Sequence, residues 1–190
     1  MQRRAIAIGT DFLTREINGK RFIEGYFAVF GSRYELWDEA FETIDPGAFD
    51  LERDNDVRAL TNHDTTLVLG RTTAGTLTLK VDERGLWGSI EINDADQDAV
   101  NLYERVARRD VTQCSFGFEI LDEERIYHEN GFVEFHIRGV KLYEVSVCTF
   151  PAYEDTGVEA RKAEVETAKR RKLETWRAAA LQKLKGEKEC

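Results

Sequence analysis

Short runs of β-branched and aromatic residues, punctuated by Gly, Asn and Asp, fill most of the chain and predict a mainly β fold. The first clear strand is residues 22–30. Residues 76–81 and 86–92 flank Asp82-Glu83-Arg84-Gly85 at hairpin spacing. Residues 126–128 and 132–138 flank Asn130-Gly131, a dipeptide suited to positive φ and a tight turn. Residues 140–150 predict a last long strand that ends at Pro151. A helical pattern interrupts at 94–109, with Ala99, Val100, Tyr103, Val106 and Ala107 on one face and Asp94 or Asp96 as its cap. A second, shorter helix is expected after Asp45-Pro46-Gly47-Ala48-Phe49. The expected body is α+β: a strongly curved sheet or small closed antiparallel β-barrel with peripheral helices.

Residues 157–190 follow a different rule. They contain no Pro and are rich in Ala, Glu, Lys and Arg, so they predict a helical tail. Apolar residues recur there at irregular helical spacings, which suits an amphipathic helix that meets a partner; a solvated charged helix is the alternative. The net charge of −9 divides at the same place: ten Lys/Arg against six Glu make the tail +4 and leave residues 1–156 at −13. Two domains are therefore expected, 1–156 and 157–190.

An apolar fraction of 42% with 11% aromatics is enough to build a core, which excludes wholesale disorder. No apolar run is long enough to cross a bilayer, and the Met1-Gln2-Arg3-Arg4 start predicts no secretory signal. The acidic balance argues against nucleic acid as a partner. Cys114, Cys148 and Cys190 form no Cys-x-x-Cys unit, and the first two lie in apolar runs that suit buried thiols.

With three histidines, the search for a general base is short. His63, in Asn62-His63-Asp64, has the polar neighbours expected of a reactive imidazole near a strand end. His128 and His136 flank the Asn130-Gly131 turn, and His136 alternates with Glu134 and Arg138 on a polar face; a zinc site there lacks further ligands. In residues 111–120 the alternation puts Cys114, Phe116, Phe118 and Ile120 on one face and Gln113, Ser115, Gly117 and Glu119 on the other. Ser115 is thus expected to point outward from a rigid support, with Gly117 leaving room for a substrate backbone. Glu144 is the one acid inside an otherwise apolar or small-residue strand and needs a partner, either an arginine such as Arg138 or an imidazole.

Taken together, Glu42-Thr43-Ile44-Asp45-Pro46-Gly47-Ala48-Phe49, Asn62-His63-Asp64, Leu69-Gly70-Arg71, Ala74-Gly75-Thr76-Leu77, Gly85-Leu86, Ser115-Phe116-Gly117-Phe118, Glu144-Val145-Ser146-Val147 and Pro151-Ala152 resemble the prohead proteases of tailed bacteriophages. That family is similar in turn to the herpesvirus assemblins, which implies a β-barrel ringed by helices. The resemblance implies Ser115 as nucleophile and His63 as general base. Glu144 is taken as the third member, with Asp64 as the fallback; an oxyanion donor is left open between a backbone N–H and Arg108 or Arg109. It implies a serine endopeptidase without cofactor or metal that cuts the scaffolding segment of the major capsid protein, and itself, inside the assembling procapsid in the bacterial cytoplasm. A homo-oligomer is compatible with it. The competing class is a non-catalytic scaffold or capsid-binding module on the same fold.

Overall fold

A computed structural model describes residues 2–6, 12–150 and 155–186 of the 190. Two compact units divide the chain, Met1–Tyr153 and Glu154–Cys190. The first holds eleven strands among its described residues: β1 (Gln2–Ile6), β2 (Leu13–Ile17), β3 (Lys20–Val29), β4 (Tyr34–Trp37), β5 (Ala40–Ile44), β6 (Arg58–Thr61), β7 (Asp64–Arg71), β8 (Leu77–Val81), β9 (Gly85–Glu91), β10 (Gln113–Tyr127) and β11 (Val133–Cys148). Helix α1 (Gln97–Ala107) and one turn of 3-10 helix (Thr72–Ala74) complete it.

The mainly β expectation holds, but the closed antiparallel barrel does not. The strands form two open sheets. One runs β1-β10-β11-β5-β4, with β6 and β7 joined to β11; the other runs β2-β3-β9-β8. Strands β4, β7, β2 and β8 each pair on one side only, so neither sheet closes. The larger sheet is also mixed, because β11 pairs in parallel with both β5 and β6.

Strand β11 is the spine. Its first half lies beside β5 and its second half beside β6, along the same edge. The segment between them, residues 45–57, fills the gap. Val140 N–H donates to the Ala48 carbonyl, Leu142 N–H donates to the buried Asp54 carboxylate (2.9 Å), and Arg53 reaches the Val140 carbonyl. The helix expected after Asp45 does not form, since this backbone spends its hydrogen bonds on β11 and turns at Gly47 with φ 91°.

Strands β10 and β11 pair over 15 and 16 residues, joining segments that the sequence pattern separates. Three irregularities make this length possible. Tyr143, Leu121 and Arg138 are each an extra residue between paired neighbours. The buried apolar positions of β11 accordingly switch from Val133, Phe135 and Ile137 to Val140 and Leu142, then to Val145 and Val147. The connecting loop is longer than a two-residue turn: only Gly131 adopts positive φ, and His128 N–H donates to the Phe132 carbonyl.

Between the sheets, Phe116 stacks on Phe118 with centroids 4.8 Å apart and meets Phe49 edge-on. Phe27, Ile23, Leu86 and Ile90 of the smaller sheet belong to the same core. The Cys114 thiol donates to the Tyr26 carbonyl of β3 (3.3 Å), so the apolar face read from residues 114–120 is the packed one. Asp96 caps α1 through the amides of Asp98 and Ala99. Leu102 is buried on its inner face with Ala99 and Val106, whereas Ala107 is exposed.

In the second unit, α2 (Asp155–Gly186) is helical as expected, but its apolar and charged residues are hardly segregated around the axis. The amphipathic reading fails there. Cys190 and the Pro151-Ala152 junction lie outside the described residues. Among the described residues no helix is long and apolar enough to cross a membrane.

Candidate active site

Strands β6 and β7 are joined by Asn62 and His63, both in the left-handed region at φ 50° and 61°. Two consecutive positive φ angles match the twist of a hairpin, but they strain a histidine. Three hydrogen bonds to β11 and its C-terminal extension hold the turn in place. Asn62 N–H donates to the Val147 carbonyl (3.0 Å), Thr149 N–H to Asn62 Oδ1 (2.9 Å) and His63 N–H to Ser146 Oγ (3.2 Å). The sequence reading assigns Asn62 no role of its own, although the tolerance of asparagine for positive φ marks it as a turn former.

This turn delivers the imidazole to Glu144. His63 Nδ1 lies 2.7 Å from Glu144 Oε1, and both side chains are only 4% exposed. The other carboxylate oxygen, Oε2, accepts the Ser146 hydroxyl proton at 2.6 Å. An ionised carboxylate can only accept, so Nδ1 is the donor of this contact, and in the neutral ring Nε2 then carries the lone pair. Nε2 is buried and has no hydrogen-bond partner among the described residues. A ring held on one side by a carboxylate, with its basic nitrogen unengaged, is equipped for proton transfer.

Ser115 sits on β10 opposite Ser146, and Gly117 opposite Glu144. Period-two alternation places Ser115 and Gly117 on one face, and their pairing partners Ser146 and Glu144 share it. Ser115, Gly117, Ser146 and Glu144 therefore share one face of two paired strands, and the β6–β7 turn brings the imidazole to Glu144. Ser115 is fully buried, contrary to the outward-pointing hydroxyl expected. The space at Gly117 is also taken: a Cβ there would run into the Glu144 carboxylate. Gly117 thus makes room for the Glu144 carboxylate and not, as expected, for a substrate backbone.

The alternatives lie elsewhere. Asp64 is exposed and accepts from the amide and hydroxyl of Thr66, which hold its carboxyl below the usual carboxylate range. Arg138 bonds Asp122 and Glu124 (3.1 Å each), so it is not the partner of Glu144. Arg108 pairs with Asp110 at the surface. His128 and His136 converge on Glu134, at the far half of β11. Among the described residues no group of three or more His, Cys, Asp or Glu is arranged to hold a metal ion.

The comparisons with known proteins bear on the same segments. The chain is 30% identical over 164 residues to the prohead protease of Enterobacteria phage HK97, covering 84% of this chain and 68% of that protein. No solved structure matches it. The model of the caudovirus prohead serine protease family matches residues 10–171, a span that starts before β2 and takes in the β6–β7 turn, both long strands and half of α2. With the serine, histidine and glutamate segments all inside that span, the chain belongs to the caudovirus prohead serine protease family.

Proposed function

We propose that this serine protease of phage capsid maturation acts through Ser115 as nucleophile, His63 as general base and Glu144 as the residue that orients His63. The supporting observation is the buried His63–Glu144 contact, which leaves Nε2 unengaged, with Glu144 on the same sheet face as Ser115. Attack of Ser115 Oγ on the scissile carbonyl passes the hydroxyl proton to His63 Nε2, and the imidazolium is stabilised by Glu144. Collapse of the tetrahedral species expels the amine, which takes that proton. Water, deprotonated by the same nitrogen, then hydrolyses the acyl-enzyme. Because Ser115 is fully buried, substrate entry requires movement of the groups that cover it.

The substrate in this reading is the scaffolding segment of the major capsid protein, cut inside the procapsid, and the protease also cuts itself. The seam between 1–156 and 157–190 separates a catalytic body from a recruiting tail that is dispensable for cutting a peptide. Co-expression with the capsid protein, read by intact mass, tests the assignment: wild type trims the capsid protein and itself, while Ser115→Ala leaves both whole. Trimming by Ser115→Ala sinks it. A chain ending near Thr156 that still cuts peptide but enters procapsids poorly supports the role of the tail; equal entry removes it.

A further inference from the structure

Ser146 and Gly117 play no part in the roles assigned so far, yet both touch Glu144. Ser146 is fully buried, and its Oγ makes two side-chain hydrogen bonds. Its Oγ donates its only proton to Glu144 Oε2 at 2.6 Å and accepts the His63 backbone N–H at 3.2 Å. With the Nδ1–H···Oε1 contact of 2.7 Å these bonds close a ring: His63 amide to Ser146, Ser146 to Glu144, Glu144 to the His63 imidazole. Both carboxylate oxygens are fixed, and the strained backbone of the histidine is tied to the same hydroxyl. Gly117 forms the floor, since any Cβ there would occupy the place of the carboxylate.

We infer that Ser146 is a positioning residue of the protease, holding Glu144 and the His63 turn in register through a single hydroxyl, and that Gly117 must lack a side chain for the same reason. This rests on the reading of His63 as general base. Without the hydroxyl, Oε2 is left buried without its donor and the His63 amide without its acceptor, a pair of losses that water cannot repair in a closed site. Glu144 is then free to leave Nδ1, and the imidazole loses its fixed tautomer.

The test uses the full chain, with capsid-precursor cleavage and fluorophosphonate labelling of the nucleophile as activity readouts. Ser146→Ala should lower kcat and the labelling rate by about 10²-fold, the scale of a small misplacement at a catalytic centre, with KM unchanged. Ser146→Thr, which keeps the hydroxyl, should restore most of the rate. In a Glu144→Gln background Ser146→Ala should cost almost nothing more, because both changes break one ring. An additive loss, or a wild-type rate in Ser146→Ala, overturns the inference. A readout independent of turnover is the far-downfield proton resonance of the His63 Nδ1–H, which Ser146→Ala and Gly117→Ala should each shift or abolish; persistence in both overturns the inference too. Should Ser115→Ala or His63→Ala remain active, the functional assignment itself fails, an outcome distinct from any of these.

Discussion

Of the three histidines that meet carboxylates along β11, His136 and His63 are built to opposite ends. At the first half of the strand His136 is engaged on both sides of the ring: Nδ1 lies 3.1 Å from Asp45 Oδ1, with the Thr43 hydroxyl beside it, and Nε2 lies 3.4 Å from Glu134 Oε2. His128 and Arg33 also reach Glu134. At the second half His63 has one carboxylate on one nitrogen and nothing described on the other. The His136 side chain is 26% exposed and that of His63 is 4% exposed. More acidic neighbours do not make a better base. A ring gripped at both nitrogens by carboxylates is favoured as a cation and has no lone pair to offer, whereas a ring gripped at one keeps its base.

The comparison breaks most directly at the two rings themselves. His63→Ala should reduce peptide cleavage by more than about 10³-fold, as removal of a general base does in a serine protease, while His136→Ala should leave kcat/KM within about two-fold. Equal losses would erase the distinction. Next come the carboxylates: Glu144→Gln should cost on the order of 10³- to 10⁴-fold in kcat, because an amide cannot stabilise the imidazolium, and Glu134→Gln should cost little. Steady-state kinetics on one capsid-derived peptide covers all four variants.

A smaller effect separates the two sites by pH. Burial disfavours charge on His136, but the hydrogen bonds and charges of Asp45 and Glu134 outweigh it and raise its pKa above the ordinary value. A raised folded-state pKa means that the stabilisation is fully present below the unfolded value near 6.5 and is lost as pH rises through the folded one. Wild type should therefore exceed His136→Gln in urea midpoint at about pH 5.5, and the gap should narrow by about pH 9. A gap that widens with pH reverses the sign and refutes the cationic role. The smallest effect probes dryness at the His63–Glu144 end, where burial pushes the Cys148 thiol up to about 12. Since the thiolate is the nucleophile, iodoacetamide at about pH 8 should spare Cys148 in the folded protein and label it after denaturation, as peptide mass mapping would show. Rapid native labelling would mean that water enters there freely.

Much of this was legible in residue order. Strand β3, the β8–β9 hairpin, the Asp96 cap and the apolar face of Cys114, Phe116 and Phe118 follow from periodicity and turn chemistry, because each depends on neighbours in sequence. His63 and Glu144 stood out as a polar turn and a lone acid in an apolar strand, and the structure brings them together. The rest depends on contacts distant in sequence. Bulges at Leu121, Arg138 and Tyr143 break the alternation, so 15- and 16-residue strands look like shorter ones. The parallel pairing of β5 and β6 with β11 leaves no local mark, and without it a run of strands suggests a closed barrel. Burial of Ser115 is likewise tertiary, since its own strand reads as having a polar outer face.

The bulges also set the strand's tolerance to changes of length, in the manner of a reading frame. Tyr143 is surplus to the pairing of Leu142 with Phe118 and Glu144 with Gly117, so its deletion would leave Leu142 inward and Glu144 in place. One residue gained or lost between Val145 and Val147 has no such slack: it would turn Glu144 or Val147 to the opposite face and put a carboxylate in the core or a valine at the turn. Drift in length is thus absorbed beside the register of the proposed catalytic residues, and residues 145–147 must be kept in count.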